Sequence, residues 1–129
     1  MNSAVSRIVI LLVAALALSS CISAPVYNVS SATMASSPDA KLEQVADAIM
    51  QAGLSRGWQM TEKGPSEMEG RLKLRWHVAV VSITFDTKQF SIFYKDSNNL
   101  KYDGSTIDSN YNGWIQDLEK AIMAQSMGI

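Results

Sequence analysis

The chain predicts an α+β fold: a two-layer sandwich of helix, four-stranded antiparallel meander and helix, with both helices on one face of the sheet. Three observations carry this. Apolar residues recur at three-and-four spacing near each end of the region 39–129, on Leu42, Val45, Ala46, Ile49 and Met50 and again on Tyr111, Trp114, Ile115, Leu118 and Ile122. Between them, four stretches alternate or are β-branched throughout, the pattern of strands with one buried face. Their other face carries Gln59, Thr61, Glu69, Arg71, Lys73 and Arg75, so both helices must cover the apolar side.

Residues 1–20 read as an export signal. Arg7 is their only charged side chain, and Ile8 to Leu18 is an apolar run of eleven residues. That length falls within the roughly 7–15 of a signal-peptide core and short of the roughly 20 needed to span a bilayer. Leu18-Ser19-Ser20-Cys21 closes the run and resembles the lipobox of bacterial lipoproteins, with Leu18 at the hydrophobic position, two serines at the small positions and Cys21 as acceptor. The resemblance implies a thioether-linked diacylglycerol on Cys21, cleavage before it, and a further acyl chain such as palmitate on the new amine. Cys21 is the only cysteine, so no intrachain disulfide can form. Two or three chains, at about 0.8 kcal/mol per buried methylene, hold a protein at a membrane without help from its folded part. Ile22 stands where some bacteria place an aspartate to retain lipoproteins at the inner membrane, which points to the outer membrane and the periplasmic side of the envelope.

Residues 21–38 are rich in serine and alanine, contain two prolines and carry no charge. They read as the lipidated cysteine and a flexible tether, reaching on the order of 23 Å as a coil. The single domain, 39–129, follows. Ser37-Pro38-Asp39 is a helix start, with serine as N-cap and proline at the first position, and Gly53 or Gly57 is the stop.

The strands are Trp58 to Glu62, Met68 to Arg75, Val78 to Phe85 and Gln89 to Lys95. A turn at Trp76-His77 sets Leu74 opposite Ala79, Leu72 opposite Val81 and Gly70 opposite Ile83. A turn at Thr87-Lys88 sets Phe85 opposite Phe90, Ile83 opposite Ile92 and Val81 opposite Tyr94. A one-residue slip in either hairpin throws the whole set into water, although neither turn holds the Asn-Gly or Gly that two-residue hairpins favour. A polar loop, 96–110, leads to the last helix, capped by Asp108 or Ser109, which is expected to pack Trp114 beside Leu72 and Val81.

Asp96-Ser97-Asn98-Asn99-Leu100-Lys101-Tyr102, with Asn110-Tyr111-Asn112-Gly113-Trp114-Ile115 after it, resembles a group of small, functionally uncharacterised bacterial lipoproteins in which a loop ends in a Tyr-Asn-x-Trp helix. The resemblance covers the C-terminal third. It implies the same fold and an envelope location, and no activity.

Little in the chain points to catalysis. Removing Arg7 with the signal leaves 10 basic and 12 acidic residues, a balance unlike that of a nucleic-acid binder. The one histidine, His77, sits at an expected hairpin tip, with no serine marked out as a nucleophile and Cys21 consumed by lipid. No set of His, Cys and carboxylate residues has the spacing of a zinc site, and the loop aspartates lack the spacing of a calcium-binding loop. No cofactor is expected. The expected function is a membrane-anchored, non-enzymatic binding or structural module; the alternative is a small hydrolase or ligand-binding protein with a cleft between loop 96–110 and the last helix, lined by Tyr102, Asp103 and Asn112. The expected interaction surface lies on the open face of the sheet. There Arg71 is set beside Ser82 and Phe93, Lys73 beside Val80 and Lys95, and Arg75 beside Val78, so that four cations ring Val78, Val80 and Phe93. Such a surface suits an envelope protein, a cell-wall polymer or anionic lipid.

Overall fold

A computed structural model describes residues 23–129. The export signal and the lipobox, Cys21 included, lie outside the described residues. The elements run β1 (Ala24–Pro25), β2 (Val29–Thr33), α1 (Leu42–Ser55), β3 (Gln59–Gly64), β4 (Glu67–Leu74), β5 (His77–Phe85), β6 (Gln89–Asn98), β7 (Thr106–Ile107) and α2 (Ser109–Ser126). The fold is α+β. A five-stranded antiparallel sheet has the order β2-β6-β5-β4-β3, and β1 pairs with β7 in a small second sheet.

The fifth strand corrects the four-stranded expectation, and it comes from the stretch that reads as a tether. β2 lies along β6 with Val29 opposite Ile92 and Thr33 opposite Gln89. Val29 and Met34 are buried in the core. Side chains far along the chain fasten this segment. Asn112 accepts from the Tyr27 amide at 2.9 Å and donates to the Pro25 carbonyl at 2.8 Å. Tyr27 Oη donates to Glu119 at 2.7 Å, Asn28 accepts from the Tyr94 amide, and buried Ser126 accepts from the Ala35 amide. Residues 23–38 thus form part of the domain. They have too few apolar residues to alternate visibly, and their partners lie 66–92 positions away.

α1 begins later than Ser37. Ser37 instead closes a turn, its carbonyl accepting from the Ala40 amide, and Lys41 precedes the helix with its amide bonded to Gln44 Oε1. At the other end the Trp58 and Gly57 amides reach back to the Gly53 and Leu54 carbonyls, and Gly57 takes φ 85, the left-handed stop that glycine tolerates. Gly53 serves packing instead. A Cβ there would overlap Met60 Sδ, so the bare backbone lets β3 approach the helix. Asp108 caps α2, accepting from the Asn110 amide at 2.9 Å.

The core joins alternate sheet residues (Met68, Leu72, Ala79, Val81, Ile83, Phe85, Phe90, Ile92) to Val45, Ile49 and Ala52 of α1 and Tyr111, Ile115, Leu118 and Ile122 of α2. The β5–β6 pairing has the expected register, Phe85 to Phe90, Ile83 to Ile92 and Val81 to Tyr94, before a bulge at Val80–Val81. The β4–β5 pairing is displaced by two residues. Leu74 faces His77 and Leu72 faces Ala79, so the turn is Arg75-Trp76 and His77 opens β5. Trp114 is half-buried at the rim of the core, its ring 6.5 Å from that of His77, and does not reach the fully buried place expected of it.

Candidate functional site

The displaced register rearranges the outer face of the sheet. Arg71 stands opposite Val80 and Lys73 opposite Val78, while Arg75 leaves the strand for the turn at φ 55. Glu69 takes the place opposite Ser82 that was expected for Arg71, and Asp96 lies opposite Val80 because of the bulge in β6. Lys95 donates to Glu69 Oε1 at 2.7 Å, and Lys63 approaches the other carboxylate oxygen at 3.8 Å. The hydrogen bond from Lys95 holds the Glu69 carboxyl below the usual carboxylate range, and the same contact holds Lys95 above its own. The expected ring of four cations is therefore corrected. Lys95 is paired, acidic residues are interleaved, and Val78 and Val80 are half-buried. Phe93 remains exposed, and Arg71, Lys73 and Arg75 are exposed without an ion pair among the described residues.

The residues expected to line a cleft between loop 96–110 and α2 are engaged in contacts within the protein. Asp103 accepts from the Thr106 and Ser105 amides at 2.7 and 3.0 Å and from both hydroxyls, and these bonds hold its carboxyl at about 2. Tyr102 stacks on Tyr94 with ring centroids 4.0 Å apart, and Tyr94 meets Tyr111 edge-on. Asn112 is committed to β1. His77 Nδ1 donates to the Asn99 carbonyl at 2.7 Å, which ties the start of β5 to the loop. The Tyr111 hydroxyl is buried without a partner among the described residues, and burial pushes its ionisation well above the ordinary range. Among the described residues no three His, Cys, Asp or Glu side chains come together as a cation site. A groove of about 510 Å³ opens elsewhere, between the start of α1 and β3, lined by Leu42, Ala46, Asp47, Glu62 and Pro65 among others.

A second surface, absent from the sequence-based expectations, lies at the end of the domain where β4 turns into β5. Trp76 is 82% exposed there, and Leu74 is 44% exposed. To the same end belong the last turn of α1, with Leu54 exposed, and loop 99–105, with Tyr102 exposed. These are four of the six large apolar side chains exposed among the described residues. The same end holds most of the left-handed backbone: Arg75, Asn99, Lys101, Gly57 and Gly104 all have positive φ, and among the other described residues only Ser31 does. The sequence signal was present in Trp76 itself, a large aromatic at a turn, where polar residues and glycine are usual.

No known protein family, characterised protein or solved structure matches this chain.

Proposed function

We propose that this protein is a lipid-anchored module of the bacterial envelope, tethered through acylated Cys21 and working by binding rather than by catalysis. The observation that carries the anchor is Leu18-Ser19-Ser20-Cys21 placed directly after an eleven-residue apolar run. The resemblance of its C-terminal third to small envelope lipoproteins agrees with that reading, and Ile22 favours the periplasmic face of the outer membrane. In support of a binding role, the polar groups best suited to chemistry, His77, Asp103 and Asn112, are each spent on holding the chain together.

The binding surface in this reading is the open face of a two-layer domain whose helices both cover the other side. Its support is the contrast between alternate residues: Leu72, Ala79, Val81 and Ile83 are buried, whereas Arg71, Lys73, Phe93 and Lys95 are exposed. The partner is an envelope protein or cell-wall polymer that meets Phe93 together with Arg71 and Lys73.

Two measurements test this. The mass of the N-terminal peptide from membranes should show an acylated Cys21, and Cys21→Ser should leave a protein that no longer partitions into detergent. A photo-reactive residue at Phe93 should give a discrete adduct in intact cells, lost on joint reversal of Arg71 and Lys73 to Glu. An unmodified Cys21 overturns the anchor, and absence of any adduct overturns the binding face.

A further inference from the structure

We infer that the end of the domain bearing Trp76 is a second, non-covalent membrane contact, which docks on the anionic lipid surface to which Cys21 is anchored. The inference rests on the anchored reading above and goes beyond it, because it assigns a surface and an orientation.

The path of the chain carries the argument. Ala24 pairs with Ile107, and Val26 donates to the Ser105 carbonyl, so the chain enters the fold against loop 99–105. The Asp108 amide donates to the Leu100 carbonyl, and the Asn99 carbonyl accepts from His77, the residue that follows Trp76. From there β2 runs away, from Asn28 beside Tyr94 to Thr33 opposite Gln89. The entry point and the Trp76 turn therefore lie at one end of the molecule. Cys21 precedes Ala24 by three residues, which span at most about 11 Å. A lipid on Cys21 would hold this end close to the membrane surface.

That end has the chemistry of an interfacial contact. Trp76 stands out at the tip after exposed Leu74; Leu54 and Tyr102 are exposed on α1 and loop 99–105 of the same end, and amphipathic aromatics favour the headgroup level of a bilayer. Lys73, Arg75 and Lys101 are exposed about the tip. The carboxylates nearby are Asp103, Asp108 and exposed Asp96, each bonded to a backbone amide, and Asp117, paired with Arg56 at 3.6 Å. The cations left over suit an anionic leaflet, where basic residues near the surface add to the attraction. The opposite end, by contrast, presents Asp39, Glu43, Glu62, Glu67 and Asp86 among its lysines, and of the large exposed apolar side chains among the described residues only Met127. Docked end-on, the strands stand upright from the membrane and the outer face of the sheet stays open sideways to a partner.

The test uses the full acylated protein, purified in detergent and reconstituted into vesicles of phosphatidylethanolamine and phosphatidylglycerol whose acyl chains carry bromine near the headgroup. Bromine quenches tryptophan on contact. Trp58 is buried in the core and Trp114 is half-buried with its ring 6.5 Å from that of His77, so both form a background and the informative quantity is the quenching of wild type minus that of Trp76→Phe. The expected result is a lost component of emission in wild type that Trp76→Phe lacks. That component should shrink in vesicles of phosphatidylcholine alone and in the joint Lys73→Glu, Arg75→Glu, Lys101→Glu variant, whose melting curve checks that it folds. Equal quenching of wild type and Trp76→Phe overturns the proposal. The mass of the N-terminal peptide, read on the same preparation, separates the two readings. Protein without lipid on Cys21 that still shows Trp76-dependent quenching keeps the docking surface and removes the anchor. Lipidated protein without that quenching does the reverse.

Discussion

Two hairpins of the same sheet turn in two residues, and neither has glycine or asparagine at its centre. The β5–β6 turn is held by its own chemistry. Asp86 Oδ1 accepts from the Lys88 and Gln89 amides, each at 2.7 Å, and the Asp86 amide donates to the Gln89 carbonyl at 3.0 Å. The β4–β5 turn has no such lock. Arg75 sits at φ 55, a region that suits glycine or asparagine better, and Trp76 projects into solvent. What fixes this second turn is the eight-residue ladder behind it, from Glu67 opposite Thr84 to Leu74 opposite His77. A turn set by its flanking strands leaves its own residues free for another use, and an aromatic beside a cation has no evident use in the fold.

The difference can be broken from either side. The largest effect belongs to the core beneath the locked turn: Phe90→Ala, which removes a buried ring opposite Phe85, should lower unfolding free energy by about 3–5 kcal/mol in a denaturant titration. Against a total on the order of 5–15 kcal/mol, that leaves a marginal domain. Next, Asp86→Ala removes two exposed hydrogen bonds and should cost about 1 kcal/mol. Its pH dependence follows from the amide bonds, first of all that from Lys88, which hold the folded-state carboxyl below its usual value. The stabilisation is fully present above the ordinary aspartate range and is lost as pH falls through the depressed folded value. Melting temperatures of wild type and Asp86→Ala should therefore converge in acid.

The two turns also differ in how far the sequence revealed them. Alternation along Val78 to Phe85 and Gln89 to Lys95 excludes a one-residue slip of β5–β6, and Asp86, a residue suited to starting a turn, selects the observed register among those that keep Phe85, Ile83 and Val81 on the inner face. Alternation cannot settle β4–β5. Sliding a strand by two residues keeps every side chain on its face, so Leu72 is buried whether it meets Val81 or Ala79. Only the turn could decide, and Arg75-Trp76 carries no turn signature. That one ambiguity moved Arg71, Lys73 and Arg75 along the sheet and hid the interleaving of Glu69. The strand at Val29–Thr33 was illegible for another reason: it is short, bulged at Ser31, and held by side chains such as Asn112 and Ser126 from the other end of the chain.

Smaller effects sharpen the contrast. Arg75→Gly relieves a side chain from a left-handed backbone, offset in part by the freedom glycine gains when unfolded. Stability should rise by about 0.5 kcal/mol, where a turn optimised for folding would show none. Smallest of all, Trp76→Ser should move the melting midpoint by the equivalent of no more than about 0.5 kcal/mol, because the ring is mostly in water. A large loss in Trp76→Ser would mean that the tip serves the fold rather than a partner.

The most direct measurement compares the two turns in place. Single cysteines are introduced at Trp76 and at exposed Lys88, in protein acylated on Cys21, and a membrane-impermeant maleimide is applied to permeabilised cells. If the domain stands end-on, Lys88→Cys is labelled rapidly while Trp76→Cys is shielded until detergent dissolves the membrane. Equal labelling of both cysteines in intact membranes would contradict the account.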